Sequence, residues 1–392
     1  MHVLLLHNRY RNEGGEERAV ADLAALLERR GHTVAVLERS SADTSKLGAA
    51  RALVSGGAGP EQVGDAVRSL NADVVHAHNV HPLFGWRALA AAREAGARTV
   101  LHLHNFRLFC AIAVGYRNGA SCFRCRGANT LPGVAYRCRG STAEAVAYAV
   151  GLHRQQRPLL EHADRIVAVS HASARRLSEL GLPRGRMTVL PNFVASDRFA
   201  TRTTAGEGAY AFVSGRLVEE KGVDTAIAAA RAAGVPLVIA GEGPDEKRLR
   251  SLADGGDVRF VGQLSRAALT DARAGAAVVL VPSRCEEACP YSALDALAGA
   301  IPVLVSDRGG LPELVGAGGL VLAADDVGAW EHALSDLWHR PQARRERGEA
   351  ALEQARRRFG EDRYHEELIE IYKAPEAGES PAVVGASNRI DQ

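Results

Sequence analysis

Short apolar runs recur along the chain with room for a helix between them. VLLLHN (3–8), RGHTVAVLE (30–38), ADVVHAH (72–78), RTVLHLH (98–104), DRIVAVS (164–170) and MTVLP (187–191) read as strands, and in 16–30 a stripe of Ala19, Leu23, Leu26 and Leu27 predicts a helix. Strands alternating with helices imply βαβ units and a parallel sheet buried on both faces. The pattern fades through RFATRTTAGEGA (198–209), which reads as a linker, and then restarts with AYAFVSG, VPLVIAG, DVRFVG, AAVVLVPS, IPVLVSD and GGLVLA. Two such series predict two doubly wound α/β sheets facing a cleft, with ligands at the carboxyl ends of the strands. Residues 341–373 predict one or two terminal helices, and 374–392 a loose tail rich in Gly and Pro. The expected division is 1–198 for the first domain, 199–360 for the second, 361–373 for a terminal helix and 374–392 for a disordered tail.

Length agrees with that division, since 392 residues exceed a single domain of the usual ~100–200 residues. The N-terminus lacks a basic region and a long apolar stretch, and no run approaches the ~18 apolar residues of a membrane span, so a cytoplasmic location is expected. In that compartment the six cysteines point to metal binding, burial or redox exposure rather than disulfides. Net charge is only +2, yet residues 1–200 hold 26 Lys plus Arg against 16 Asp plus Glu, and the remainder holds 22 against 30. The halves therefore carry +10 and −8. Arginine supplies nearly all the positive charge, for the only lysines are Lys46, Lys221, Lys247 and Lys373.

Candidate chemistry lies in the loops after the strands. In FVSGRLVEEKGVD, a strand is followed by Gly215, Arg216 and Lys221 and then a helix start, which suits a diphosphate as well as it suits a solvated surface pair. VIAGEGPDEKRL sets Gly241 and Gly243 after another strand, but G-x-G-x-x-G is incomplete, which argues against a nicotinamide cofactor. In PSRCEEACPYSALDALA, Glu287 precedes a helix from about Pro290 and Asp295 lies on its second turn, so backbone amides around Cys289, Tyr291 and Ser292 face the cleft beside a carboxylate. Gly14 and Gly15 open the first helix, where glycine lets an anion approach the N-terminus; Glu16 and Glu17 oppose that.

Taken in order, GGEE, HLHN (102–105), VAVSHASARRL, VLPNFVASDRF, SGRLVEEKGVD, AGEGPDEKRL, VRFVGQL and PSRCEEACPYSALDALA with GGLPEL resemble a family 4 retaining glycosyltransferase of the GT-B fold over residues 1–373. The resemblance implies that Arg216 and Lys221 hold a donor diphosphate and that Glu287 sits near the sugar hydroxyls. It implies too that Asp295 reaches the ribose, that Gly15 approaches the phosphate from the other domain, and that His104 lies by sugar and acceptor. Gly215, Gly241, Gly243, Gly262, Cys289, Tyr291 and Ser292 fall in its donor-binding segments. Three departures stand out: Asp295 is a methylene shorter than the usual glutamate, Ala300 replaces a glycine, and Ala288-Cys289-Pro290 replaces Gly-Phe-Gly. The shorter acid suggests a dTDP-sugar, whose sugar ring lacks the 2′-hydroxyl; UDP- and GDP-sugars are the other donors in view.

Between these motifs lies an insert, 105–140, with six arginines and no acid. Cys110, Cys122, Cys125 and Cys138 are spaced C-x11-C-x2-C-x12-C, which leaves a structural zinc and an unmetallated thiol cluster both open. Arg107, Arg124 and Arg126, close after His104, suggest an anionic acceptor such as a phosphorylated sugar, a cyclitol or a lipid-linked glycan, with peripheral membrane contact. A polysaccharide or antibiotic-type natural product fits the same chemistry; a nucleic-acid partner is not expected. Absence of a D-x-D triplet agrees with transfer that needs no metal cofactor. A nucleotide-sugar epimerase and a non-catalytic nucleotide-sugar-binding protein are the rival readings.

Overall fold

The computed structural model describes residues 1–10 and 14–374; the expected tail lies almost wholly outside the described residues. Every apolar run named above forms a strand. In the first half these are β1 (His2–Arg9), β2 (Thr33–Ser40), β3 (Val74–Ala77), β4 (Arg98–Leu103), β7 (Arg165–Ala168) and β8 (Met187–Val189), with a hairpin of β5 (Tyr116–Arg117) and β6 (Ala120–Ser121) inside the insert. In the second they are β9 (Tyr210–Ser214), β10 (Leu237–Ala240), β11 (Val258–Phe260), β12 (Ala276–Val281), β13 (Val303–Ser306) and β14 (Gly319–Leu322).

Both large sheets are parallel throughout, with orders β2-β1-β3-β4-β7-β8 and β11-β10-β9-β12-β13-β14. Strand order reverses between β1 and β3 in one and between β9 and β12 in the other. Such reversals open a crevice beyond the carboxyl ends of the strands. Each sheet is buried on both faces, which is why its strands read as unbroken apolar runs.

Two segments outside the two large sheets pack into the fold. The linker is packed rather than loose: Thr203 and Ala205 are buried, and Arg344 donates to the carbonyls of Ala205 (2.8 Å) and Gly206 (3.0 Å). The insert contributes real core, since Phe106, Leu108 and Phe109 are buried in the first half, and Phe106 meets Phe123 edge-on at 5.1 Å. The terminal region forms two helices, Pro341–Phe359 and Glu361–Lys373, broken at Gly360. The first packs on the second half and the other crosses back to the first, where Tyr364, Leu368 and Tyr372 join Val3, Leu5 and Val74 in one core. Arg98 then donates to the Tyr372 carbonyl at 2.7 Å, tying the two halves together.

Candidate active site

At the β9/β12 reversal the chain brings Lys221 and Glu287 into contact. Beyond β9, Gly215 adopts φ +151° and leads to Arg216, a largely exposed side chain 3.6 Å from Glu220. The turn Glu219–Lys221 ends at Gly222, where a Cβ would lie 2.0 Å from the Pro282 carbonyl, so only glycine lets this loop press on the one after β12. Lys221 Nζ meets Glu287 Oε1, and Ser283 Oγ donates to the same oxygen at 2.6 Å. Burial disfavours charge on both partners, but each is outweighed by the other: Lys221 is held above its ordinary pKa and Glu287 below. The pair is therefore ionised inside a site that would otherwise neutralise it.

Glycines shape the backbone around this pair. Gly241 and Gly243 press on the carbonyls of Gly215 and Leu217, where a Cβ would fall at 1.9 and 2.2 Å. Gly262 closes the neighbouring loop by accepting from Gly241 N–H at 2.7 Å. Gly309, at φ +59°, and Gly310 seat the Glu287 loop: Gly310 N–H donates to the Glu287 carbonyl at 2.7 Å, and a Cβ on Gly309 would stand 2.2 Å from that oxygen. The pattern GGLPEL was legible, but not that its glycines carry Glu287.

The helix Tyr291–Ala298 starts after Pro290, so its first N–H groups lack intrahelical partners, with Tyr291 and Ser292 in the opening turn. Cys289 is buried, its thiol pushed up to about 12 by burial, and its carbonyl accepts from Asn192 Nδ2 at 2.9 Å. Here the halves touch. A Cβ on Gly15 would lie 3.4 Å from the Tyr291 ring, and the Arg18 guanidinium sits 3.9 Å over that ring. Arg18 also grips Asp295 with both oxygens at 2.7 Å, while Arg273 adds a contact at 3.3 Å. The acid that resemblance assigns to the ribose thus faces an arginine of the opposing half. Nothing local in either segment announces a contact across 277 positions.

The facing edge of the first half is built from histidines. In register, His7 lies beside His78 and His78 beside His102, while alternation puts His76 and His104 on the same sheet face. His76 bonds Tyr372 Oη at 2.7 Å and His102 Nδ1 at 3.1 Å; His78 bonds His104 at 2.9 Å, and the His102 and His104 rings stack at 4.2 Å. Burial keeps His76, His78, His102 and His104 neutral, lowering His76 and His104 to about 3 and holding His78 and His102 well below the ordinary imidazole value. His76, His78 and His102 bring nitrogens within 4.8 Å of one another. Their rings lie within 29° of parallel, however, so the lone pairs run side by side rather than converging on an ion.

Beside His104, Glu16 accepts from Tyr10 Oη (2.6 Å) and Asn105 Nδ2 (3.1 Å), and its burial pushes the carboxyl up. Arg107 lies over the Tyr10 ring at 4.9 Å. Glu17 turns away and accepts from the backbones of Tyr10 and Gly14; burial opposes its charge, yet these donors and His7 hold it at about 2. Glu16 therefore belongs to a cluster that its sequence context, two adjacent acids, did not reveal.

Of the three acceptor-side arginines only Arg107 reaches this cluster. Arg124 stacks on Tyr136 at 5.2 Å, and Arg126 is exposed and donates to the Phe123 carbonyl. The insert nevertheless walls the cleft, because a Cβ on Gly119 at its hairpin tip would lie 3.7 Å from Glu219, and Arg176 bridges the Phe123 ring and Glu286. Cys110, Cys122, Cys125 and Cys138 gather behind that wall around one small cavity.

Comparison with known proteins agrees with this construction. Residues 13–198 match the family described as Glycosyltransferase Family 4, and residues 197–354 that described as Glycosyl transferases group 1. A GDP-mannose-dependent alpha-mannosyltransferase of Mycolicibacterium smegmatis is 31% identical over 303 residues, covering 74% of this chain and 71% of that protein. Among solved structures, sucrose-phosphate synthase from Thermosynechococcus elongatus superposes with a TM-score of 0.70 at 17% identity, over 95% of this chain and 98% of that one. Anabaena HepE in complex with UDP gives 0.65 at 18%, over 95% and 99%. The two facing sheets are those of the GT-B fold.

Proposed function

The chain belongs to the family 4 glycosyltransferases and uses a nucleotide sugar, and from that premise we propose that it transfers the sugar to an acceptor hydroxyl with retention of anomeric configuration, without a metal cofactor. The observation that carries this reading is the buried Lys221–Glu287 pair at the β9/β12 reversal. Both Lys221 and Ser283 load Glu287 Oε1, which leaves Oε2 for a sugar hydroxyl. As the anomeric C–O bond breaks, negative charge grows on the departing diphosphate. Lys221, Arg216 and the N-terminus of the helix Tyr291–Ala298 offset it, each preorganised donor contributing about 3 kcal/mol. The acceptor oxygen bonds to the anomeric carbon on the face the phosphate leaves, and the acceptor proton passes to a phosphate oxygen. His104, neutral and fixed by His78, positions donor sugar and acceptor by hydrogen bonding rather than by charge.

The donor to test first is GDP-mannose, named for the Mycolicibacterium relative. The expectation of a dTDP-sugar rested on the short Asp295, for which the fork from Arg18 offers a second reason. Arg107 beside the histidine edge, together with the +10 charge of residues 1–200, supports an anionic acceptor. Glycans, cyclitols and lipid-linked sugars on a membrane surface all fit that chemistry.

The test is a thermal-shift panel of GDP, UDP and dTDP, followed by release of nucleoside diphosphate from the matching sugar donor with neutral and phosphorylated acceptors. Product NMR reads the anomeric configuration. Transfer with retention, with no divalent metal added to the assay, is expected. Donor conversion without acceptor would replace transfer by epimerisation, and binding without turnover would leave a sugar-nucleotide-binding protein.

A further inference from the structure

Four cysteines from three stretches of the insert surround one cavity of about 20 Å³. A void of that size accepts a single water-sized occupant. Each approach is fixed by backbone: Cys110 N–H donates to Phe106 O (2.8 Å), Cys122 N–H to Gly115 O (2.7 Å) and Cys138 N–H to Gly133 O (3.0 Å). Cys125 directly precedes a turn closed by the Arg126–Asn129 bridge, and its Sγ lies 3.9 Å from the Thr130 carbonyl. None of the four is in a disulfide. The remaining lining is mostly aromatic and aliphatic, except for Arg117 and Arg124, whose guanidinium groups both stack on Tyr136.

We propose that Cys110, Cys122, Cys125 and Cys138 hold one structural Zn²⁺ as a tetrahedral thiolate cage. Zinc prefers thiolate sulfur and closes structural sites with four protein ligands, two of them commonly from a C-x2-C pair. With Zn–S bonds of about 2.3 Å, neighbouring sulfurs in a tetrahedron stand roughly 3.8 Å apart. As they stand, no three of these sulfurs lie within 4.8 Å of one another, so binding draws them inward across the cavity they already line. Each thiol loses its proton to solvent, four in all, and the cage around the dication carries a net charge of −2. Arg117 and Arg124 set two positive charges at its rim, which balances it. This balance is also a use for insert arginines that do not reach the acceptor edge.

The consequence is mechanical. Among the described residues the insert holds only a two-residue-strand hairpin and the short helix Leu131–Ala135, yet its tip meets Glu219 of the donor half. A metal joining Cys110 to Cys138 clamps both ends of that wall, adding folding energy to a segment with little regular secondary structure. The inference is independent of the transfer reaction, for metal content is read with no donor or acceptor present.

The test is elemental analysis of the full chain purified without a polyhistidine tag or added chelator. One zinc per chain is expected, falling to substoichiometric in the Cys122→Ser/Cys125→Ser double variant and unchanged in Cys285→Ser, whose thiol is buried elsewhere. Protein made with Co²⁺ should show thiolate-to-cobalt charge-transfer absorption, a reading on the wild-type chain that survives even if the double variant fails to fold. Wild-type protein free of zinc with its insert thiols titrating in the native state would overturn the proposal. Zinc that persists in the double variant but leaves on His102→Gln would overturn it too, by moving the metal to the histidines.

Discussion

The two halves share a sheet topology but build their cleft edges from opposite chemistry. At the donor edge, burial is answered by ion pairing: Lys221 with Glu287, and Asp224 with Arg284 and Arg248 nearby. At the histidine edge, burial is answered by neutrality: desolvation deprives His76, His78, His102 and His104 of charge, along with the buried His81 just beyond β3, and the first four are joined in two pairs. On the proposed reading, an edge that meets a leaving diphosphate keeps preorganised cations. One that must present a sugar hydroxyl keeps uncharged donors and acceptors, whose protonation would damage the packing. Acid should therefore separate the halves.

That separation is the largest expected effect. His76, His81 and His104 titrate near 3 when folded against 6.5 when unfolded, so below pH 6.5 the unfolded chain binds protons that the native one refuses. Stability is complete above 6.5 and falls as pH drops toward 3, by up to about 1.4 kcal/mol per pH unit for each such histidine. Glu287 and Asp295, depressed below 4.5 and 3.8, give up their share only as pH falls below those values. Hydrogen exchange at pH 5.5 should open β3 and β4 while β9 and β12 stay protected. Equal protection in both sheets would remove the contrast.

Next in size is the ion pair itself. Lys221→Ala should lower turnover about 10²–10³-fold, the scale of one lost oxyanion donor, and leave Glu287 buried without its cation at a cost of about 3–5 kcal/mol. Because unfolding could mimic the first effect, Lys221→Arg provides the control: it keeps charge and most stability but misplaces the point contact. Nucleoside diphosphate release, measured beside the melting temperature, tells the two apart. A variant that melts early yet turns over normally would reduce the pair to a structural brace.

How much of this was legible follows from how each contact is made. Strands buried on both faces appear as continuous apolar runs, and the donor edge is assembled from residues within single loops, so Gly215, Arg216, Lys221 and Glu287 could be named from contiguous motifs. The histidine edge is lateral. VVHAH and VLHLH do put His76 with His78 and His102 with His104 on one face, but only strand order brings β3 beside β4. Gly360 looked like any helix break, whereas its extended ψ of 158° sends the last helix to the opposite half, where Tyr372 fixes His76. The six arginines of the insert gave a charge count without a direction, and three of them, Arg117, Arg124 and Arg139, stack on Tyr136 and Tyr148 instead of facing the cleft edge.

The smallest effects test the contact that belongs to both halves. Arg18 binds Asp295 by a two-pronged fork and lies against Tyr291, both partners being 13% exposed, so the bond is sheltered but not deeply buried. Arg18→Ala should cost on the order of 2 kcal/mol, as for other charge-assisted bonds, and Arg18→Lys somewhat less, since the ammonium keeps attraction but not the fork. If Asp295 serves the ribose during turnover, the donor must displace Arg18 to reach it. Arg18→Ala would then tighten nucleotide binding even as it lowers the melting temperature. If the fork is instead a permanent strap between the halves, affinity and stability fall together. Calorimetric titration of GDP into the two variants reads that sign directly, and Arg126→Ala, exposed and remote from both edges, should change neither quantity by more than about 0.5 kcal/mol.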